Sequence, residues 1–152
     1  ANITRRFRAR LYAAIERAGI APEGRVFSLP TLDHEDYLRA NTVCDAMLDT
    51  THWSGGNTSI DAIAAGLPIV TMQGEFMRSR QSAAMLAIIG ADELVAHSRD
   101  DYVTTAARIV RDAAWRKTMI GKIVDGRHRL FDDPRPVAAL AEALQRLCDT
   151  AK

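Results

Sequence analysis

Residues 45–72 read DAMLDTTHWSGGNTSIDAIAAGLPIVTM, and this stretch decides the fold. Asp45-Ala46-Met47-Leu48-Asp49 is a short apolar run closed by an acid, the pattern of a buried strand. A polar loop over Thr51–Ser59 leads straight into Ile60–Ala65, which reads as a helix stopped by Gly66. Pro68 opens a second apolar run, Ile69-Val70-Thr71-Met72. Strand, helix and strand in so short a span pair in parallel through a right-handed crossover.

The flanking segments extend this alternation. Ile3, Phe7, Leu11, Ile15 and Ala18 fall at helical spacing over residues 2–18, and Gly19 sits where a left-handed cap would end the helix. Arg25-Val26-Phe27-Ser28-Leu29, ended by Pro30, predicts a strand. Asp33 is an N-cap for a short helix through about residue 42, with Tyr37 and Leu38 inward. Beyond Gly74 a helix is expected from about Ser79 to Ile89, stopped by Gly90, and Glu93–Ala96 reads as a further strand. Ser98 with Asp101 has the spacing of a capping box. Helices are expected over 99–111 and 113–130, the second with Trp115, Met119, Ile120 and Ile123 on one apolar face, and then from Pro134 or Pro136 onward. The predicted class is α/β: a Rossmann-like, doubly wound parallel sheet with a helical C-terminal tail, one domain over residues 1–152. The order opens with a helix where such a sheet normally opens with a strand. Either a first strand precedes Ala1 or that edge stays open.

Composition narrows the function classes. Twenty basic and 19 acidic residues leave a net charge of +1, which gives no electrostatic case for nucleic acid as partner. Arg5, Arg6, Arg8 and Arg10 are read as a solvated helix face. No apolar run approaches the roughly 20 residues of a membrane span, so no membrane partner is expected. Cys44 and Cys148 have neither a metal spacing nor a disulfide framework, and the expected setting is cytoplasmic. Cys44 reads as a structural residue before a buried strand.

Ligands of parallel sheets bind beyond the carboxyl ends of the strands. Three such ends carry polar loops: Pro30–His34, Asp49–Ser59 and Met72–Arg80. The middle one puts Gly55, Gly56, Asn57, Thr58 and Ser59 at a helix start. The glycines admit a ligand to the backbone, and free N–H groups with the helix dipole favour phosphate. Asp61 follows in the first helical turn, where a carboxylate accepts from ribose hydroxyls. The same residues also describe a capped helix after a turn, and both readings stay open on local sequence. His34 reads as a base-contacting group or an exposed helix start, Tyr37 as a stacking ring or core. Asp45 and Asp49 orient a loop or cap the strand between them. No catalytic triad or metal ligand set stands out, and Asp-x-Asp is absent.

From Arg25 to Ala96 the chain resembles the C-terminal catalytic half of the O-linked N-acetylglucosamine transferases. These are GT-B enzymes that use UDP-sugars and are often attached to tetratricopeptide repeats. The matching residues are Arg25-Val26-Phe27, His34 with Tyr37-Leu38, and Asp45–Thr50. Gly55–Asp61, Ala65–Met72 with Gly74, and Ser79-Arg80 complete the match. The resemblance implies that Gly55, Gly56, Asn57, Thr58 and Ser59 hold the diphosphate, that Asp61 holds the ribose, and that Leu32 (through its backbone), His34 and Tyr37 surround the uracil. Asn57 stands where the family commonly has Thr, and Gly56 lacks a side chain that some members carry.

The family's upstream Lys, which neutralises the leaving diphosphate, and its N-terminal GT-B domain are not among these residues. The expectation is therefore a UDP-binding half of a larger enzyme that moves a sugar, N-acetylglucosamine or a hexose, from UDP-sugar to a protein side chain. No metal or other cofactor is expected, none of these residues is assigned the chemical step, and the chain by itself is expected to turn over no UDP-sugar. The alternatives are a non-catalytic Rossmann-like interaction module and a GT-B transferase using another nucleotide-sugar.

Overall fold

The computed structural model describes residues 2–150. They form two compact units, the first ending at Asp33 and the second starting at His34.

The first unit carries α1 (Asn2–Arg17). Gly19 ends it with φ of 75°, the left-handed stop that its position predicts. The strand predicted at 25–29 does not form. The N–H groups of Arg25 and Val26 instead turn back onto the Pro22 carbonyl, at 3.1 and 3.0 Å. Phe27 and Leu29 stand 76% and 67% exposed. β-propensity describes side chains that fit a paired, half-buried surface, and here no ladder engages the backbone.

The second unit is the α/β body. It begins with α2 (His34–Val43), directly after Asp33 as predicted. Three parallel strands follow, β1 (Met47–Leu48), β2 (Ile69–Met72) and β3 (Val95–Ala96), in the order β1-β2-β3. Met47 lies opposite Ile69 and Leu48 opposite Val70, while Thr71 lies opposite Val95 and Met72 opposite Ala96. Helix α3 (Asn57–Ala64) connects the first two strands, and α4 (Gln81–Ile89) lies between the second and third. Both end at left-handed glycines, Gly66 and Gly90.

Helices α5 (Arg99–Arg111), α6 (Ala113–Gly126), α7 (His128–Phe131) and α8 (Arg135–Thr150) complete the unit. The predicted 113–130 helix is thus two helices, divided at Arg127. The core joins Ile63, Ile69, Val70, Leu86, Leu94, Ile109, Met119 and Ile123, all fully or nearly fully buried. Met119 and Ile123 lie one turn apart on α6, whereas Ile120 from the same predicted face is exposed. The cap at Ser98 forms, with the reciprocal bond displaced from Ser98 N to the N–H of His97. The Ser98 Oγ accepts from Asp101 N at 3.1 Å, and the Asp101 carboxylate accepts from His97 N at 2.8 Å. Cys44 is exposed, so the structural role expected for it is corrected.

Glu93, just before β3, accepts a hydrogen bond from Lys122 of α6. That bond is the main reason its carboxyl titrates below the ordinary glutamate range. Both side chains are more than a third exposed, so the pair contributes less than about 1 kcal/mol. A depressed carboxyl stabilises above its unfolded-state pKa and stops doing so as pH falls through the folded value. Glu93→Gln should accordingly lower the urea midpoint slightly at pH 7 and leave it unchanged at pH 2.5.

Candidate functional site

Helix α3 emerges beyond the carboxyl end of β1, and the turn before it is held by a single carboxylate. Asp49, 5% exposed, follows β1 directly and is kept in the sheet by its N–H, which donates to Val70 O at 3.0 Å. Its Oδ1 accepts from Thr50 N (2.9 Å) and Gly55 N (2.8 Å). Its Oδ2 accepts from Ser54 Oγ and from Thr71 Oγ1 of β2, both at 2.7 Å. Four donors on one acid hold the loop from both ends and tie it to the neighbouring strand. Of the two sequence readings of Asp49, the loop-orienting one is the one the structure forms.

Hydroxyl groups extend the support inward. Ser54 Oγ lies 2.8 Å from Ser82 Oγ and accepts from Ser82 N at 2.9 Å. Ser82 Oγ lies 2.8 Å from Ser59 Oγ. The loop after β2 abuts from the other side, with Ser54 N donating to Arg78 O at 2.7 Å. Tyr102 of α5 donates to the Asp49 carbonyl at 2.9 Å. Burial, with the nearby Asp49 charge, pushes the Tyr102 phenol above its ordinary value and keeps that donor protonated.

In front of this scaffold lies an open cleft of about 530 Å³. Tyr37 and Asn41 of α2, Met47 to Thr50 at the end of β1, and Trp53 to Thr58 before and at the start of α3 line it. No side chain caps α3. Ser59 N and Ile60 N both return to Gly56 O, at 3.0 and 3.1 Å. The amides of Gly56, Asn57 and Thr58 are the remaining donors of the first turn, and they belong to residues that line the cleft. Gly55 is required by space. A Cβ there would fall 2.3 Å from Ser59 Oγ and 2.7 Å from Thr58 Oγ1.

Of the residues nominated from sequence, Tyr37, Gly55, Gly56, Asn57 and Thr58 line this cleft. Ser59 does not. It is fully buried, with its hydroxyl against Ser82, so it supports the turn from behind. The helix starts at Asn57, three residues earlier than predicted. Asp61 therefore sits in the second turn, one turn below Asn57 on the same face, outside the cleft lining. His34 is the exposed first residue of α2 and does not line the cleft. Leu32 belongs to the first unit.

Sequence reasoning did not single out Asn41, Trp53, Thr71 or Ser82. Trp53 had a legible signal, a large aromatic in a polar strand-end loop, and it is 69% exposed. Asn41 had a weaker one, lying one helical turn after Tyr37. Among the described residues no group of three or more His, Cys, Asp or Glu could hold a metal ion, and no helix is long and apolar enough to cross a membrane.

A family model, glycosyl transferase family 41, matches residues 5–135. The chain belongs to that family. It is 36% identical over 109 residues to the UDP-N-acetylglucosamine–peptide N-acetylglucosaminyltransferase of Caenorhabditis elegans, covering 72% of this chain and 9% of that protein. It is 32% identical over 106 residues to the probable UDP-N-acetylglucosamine–peptide N-acetylglucosaminyltransferase SPINDLY of Solanum lycopersicum, covering 69% of this chain and 11% of that one. A solved variant of the Thermobaculum terrenum O-GlcNAc transferase superposes with a TM-score of 0.80 at 30% identity, over 95% of this chain and 29% of the other. The family 41 chain thus spans about a tenth of the length of the curated relatives it matches. Its fold and sequence are those of a segment of family 41, and the cleft at the start of α3 lies within the matched residues.

Proposed function

We propose that the cleft holds the UDP portion of a UDP-sugar donor, and that the chain serves an enzyme that glycosylates protein side chains. The observation that carries this reading is the uncapped start of α3 opening into the cleft between two glycines and a strand end. A helix N-terminus carries partial positive charge and unsatisfied donors, which suits a diphosphate. The same amides would stabilise charge that builds on UDP as the glycosidic bond breaks, the place where preorganised donors act most strongly. Asn57 and Thr58 add side-chain donors at the mouth. In this reading Asp61, one turn below Asn57, takes a ribose hydroxyl, and Tyr37 lies beside the base. His34 is a further uracil contact in this reading, as the family resemblance implies. The acceptor is a protein hydroxyl or amide side chain, as the peptide-transferase names of the relatives suggest.

Titration of the purified chain with UDP, followed by amide chemical shifts, tests this reading. Saturable shifts should centre on Gly55–Asp61, with UDP favoured over GDP and ADP. Asp61→Ala should weaken UDP by about 1.5–3 kcal/mol through loss of a charge-assisted hydrogen bond. Equal affinity of both proteins would remove the ribose role of Asp61, and shifts confined to residues beyond Ala96 would remove UDP from this cleft.

A further inference from the structure

One polar group in the cleft wall has nothing to bind. Asn41, on the inner face of α2, is only 8% exposed, and its Nδ2 is buried without a hydrogen-bond partner. A buried amide left in this state carries a desolvation penalty that folding does not recover. Asn41 nevertheless lines the cleft, one turn beyond Tyr37 on the same helix face. Trp53 and Met47 line the same cleft. The cleft lining therefore includes two aromatic rings and a thioether near this buried, unpaired side-chain donor. That is a slot for a flat, mostly apolar ring with an acceptor on its edge. The phosphate-type donors of Gly56–Thr58 line the same cleft and belong to the start of α3, not to α2.

We infer that Asn41 is a specificity-determining residue whose amide donates to a carbonyl oxygen of the pyrimidine base, while the diphosphate occupies the α3 end. This rests on the UDP reading above and adds to it the residue that recognises the base. A ring seated beside Tyr37 is necessarily beside Asn41, because residues four apart on a helix share a face. A carbonyl edge supplies the acceptor that Nδ2 lacks.

The test uses the full chain, with UDP and inorganic pyrophosphate as separate probes. Asn41→Leu keeps the branched shape and number of heavy atoms, with bulkier methyl ends, and removes the donor. Its thermal midpoint should equal or exceed that of wild type, because an unsatisfied polar group has been removed from a buried position. Its affinity for UDP should fall about tenfold, the equivalent of one hydrogen bond, and its affinity for pyrophosphate should not change. Asn41→Asp presents only acceptors to the base carbonyl and should weaken UDP at least as much, again sparing pyrophosphate. UDP binding unchanged in both variants would overturn the role of Asn41 and leave the UDP reading standing. Equal losses for UDP and pyrophosphate, or a lowered thermal midpoint in Asn41→Leu, would overturn it as well, by placing Asn41 at the phosphate end or in the structural framework. Wild-type protein that binds pyrophosphate but shows no preference for UDP would overturn both.

Discussion

Asp49→Ala should cost about 3–5 kcal/mol of stability and abolish ligand binding at the start of α3. The carboxylate accepts four hydrogen bonds, from Thr50 N, Gly55 N, Ser54 Oγ and Thr71 Oγ1. Ser54 and Thr71 are buried, so their hydroxyls lose an acceptor where solvent compensates poorly. Each stranded donor costs roughly 1–3 kcal/mol, and donors in one network do not add fully. Domains of this kind are stable by about 5–15 kcal/mol, so the loss is a large share of the total. Asp49→Asn separates the two roles. Its carbonyl still serves Gly55 and Thr50, and its amide faces hydroxyls that rotate to accept. The cost should drop to about 1–2 kcal/mol. Urea melts of the three proteins check the ranking, and UDP titration of Asp49→Asn reads whether a folded chain with a loosened turn has lost its cleft. Equal urea midpoints for wild type and Asp49→Ala would show that the network contributes nothing.

That prediction also shows where the sequence was legible. The βαβ core of residues 45–72 is local: apolar runs, a Gly stop and a Pro start each act through their own backbone. Both strands and the intervening helix formed, with β1 cut to Met47–Leu48 and Leu48 exposed where a buried strand over 45–49 was expected. The acid closing the first strand was visible, and loop orientation was one of its two readings. Thr71, which donates to it, and Ser82, which holds its partner Ser54, were not, because they come from other elements and arrive only through parallel pairing and helix packing. The strand predicted at 25–29 failed for the same reason in reverse. Val26, Phe27 and Leu29 have the composition of a strand, but a strand exists only through its partner. The start of α3 was misplaced because Asn, Thr and Ser favour the cap position, while here Gly56 takes it and all three enter the helix. That shift buries Ser59 and moves Asp61 down a turn. Asn41 stayed hidden because a polar residue in a short helix usually faces water, and only the packed structure reveals that it does not.

Two glycines of α6 should respond to the same substitution with opposite signs. In sequence Gly121 and Gly126 are equivalent: each interrupts a helical segment, where glycine costs about 0.5–1 kcal/mol relative to alanine. The structure separates them. A Cβ on Gly121 meets nothing within 4 Å. Its backbone is not left-handed, so Gly121→Ala should stabilise by about 0.5–1 kcal/mol. A Cβ on Gly126 would fall 2.2 Å from the carbonyl oxygen of Ile89 and 3.0 Å from its Cβ. The obstacle is largely backbone, at the last residue of α4, so no rotamer change relieves it. Helix α6 would have to withdraw from α4, and with it Ile123, which lies three residues before Gly126 in the buried core. Overpacking of this kind costs about 1–3 kcal/mol and more where backbone must move. Gly126→Ala should therefore lose about 3 kcal/mol, several times the gain at Gly121 and of opposite sign. Neither residue lines the α3 cleft. Under conditions where both variants remain folded, UDP affinity should be that of wild type. Urea midpoints moving in the same direction for both would contradict the close α4–α6 contact. A selective loss of UDP affinity in folded Gly126→Ala would mean that this contact also shapes the cleft.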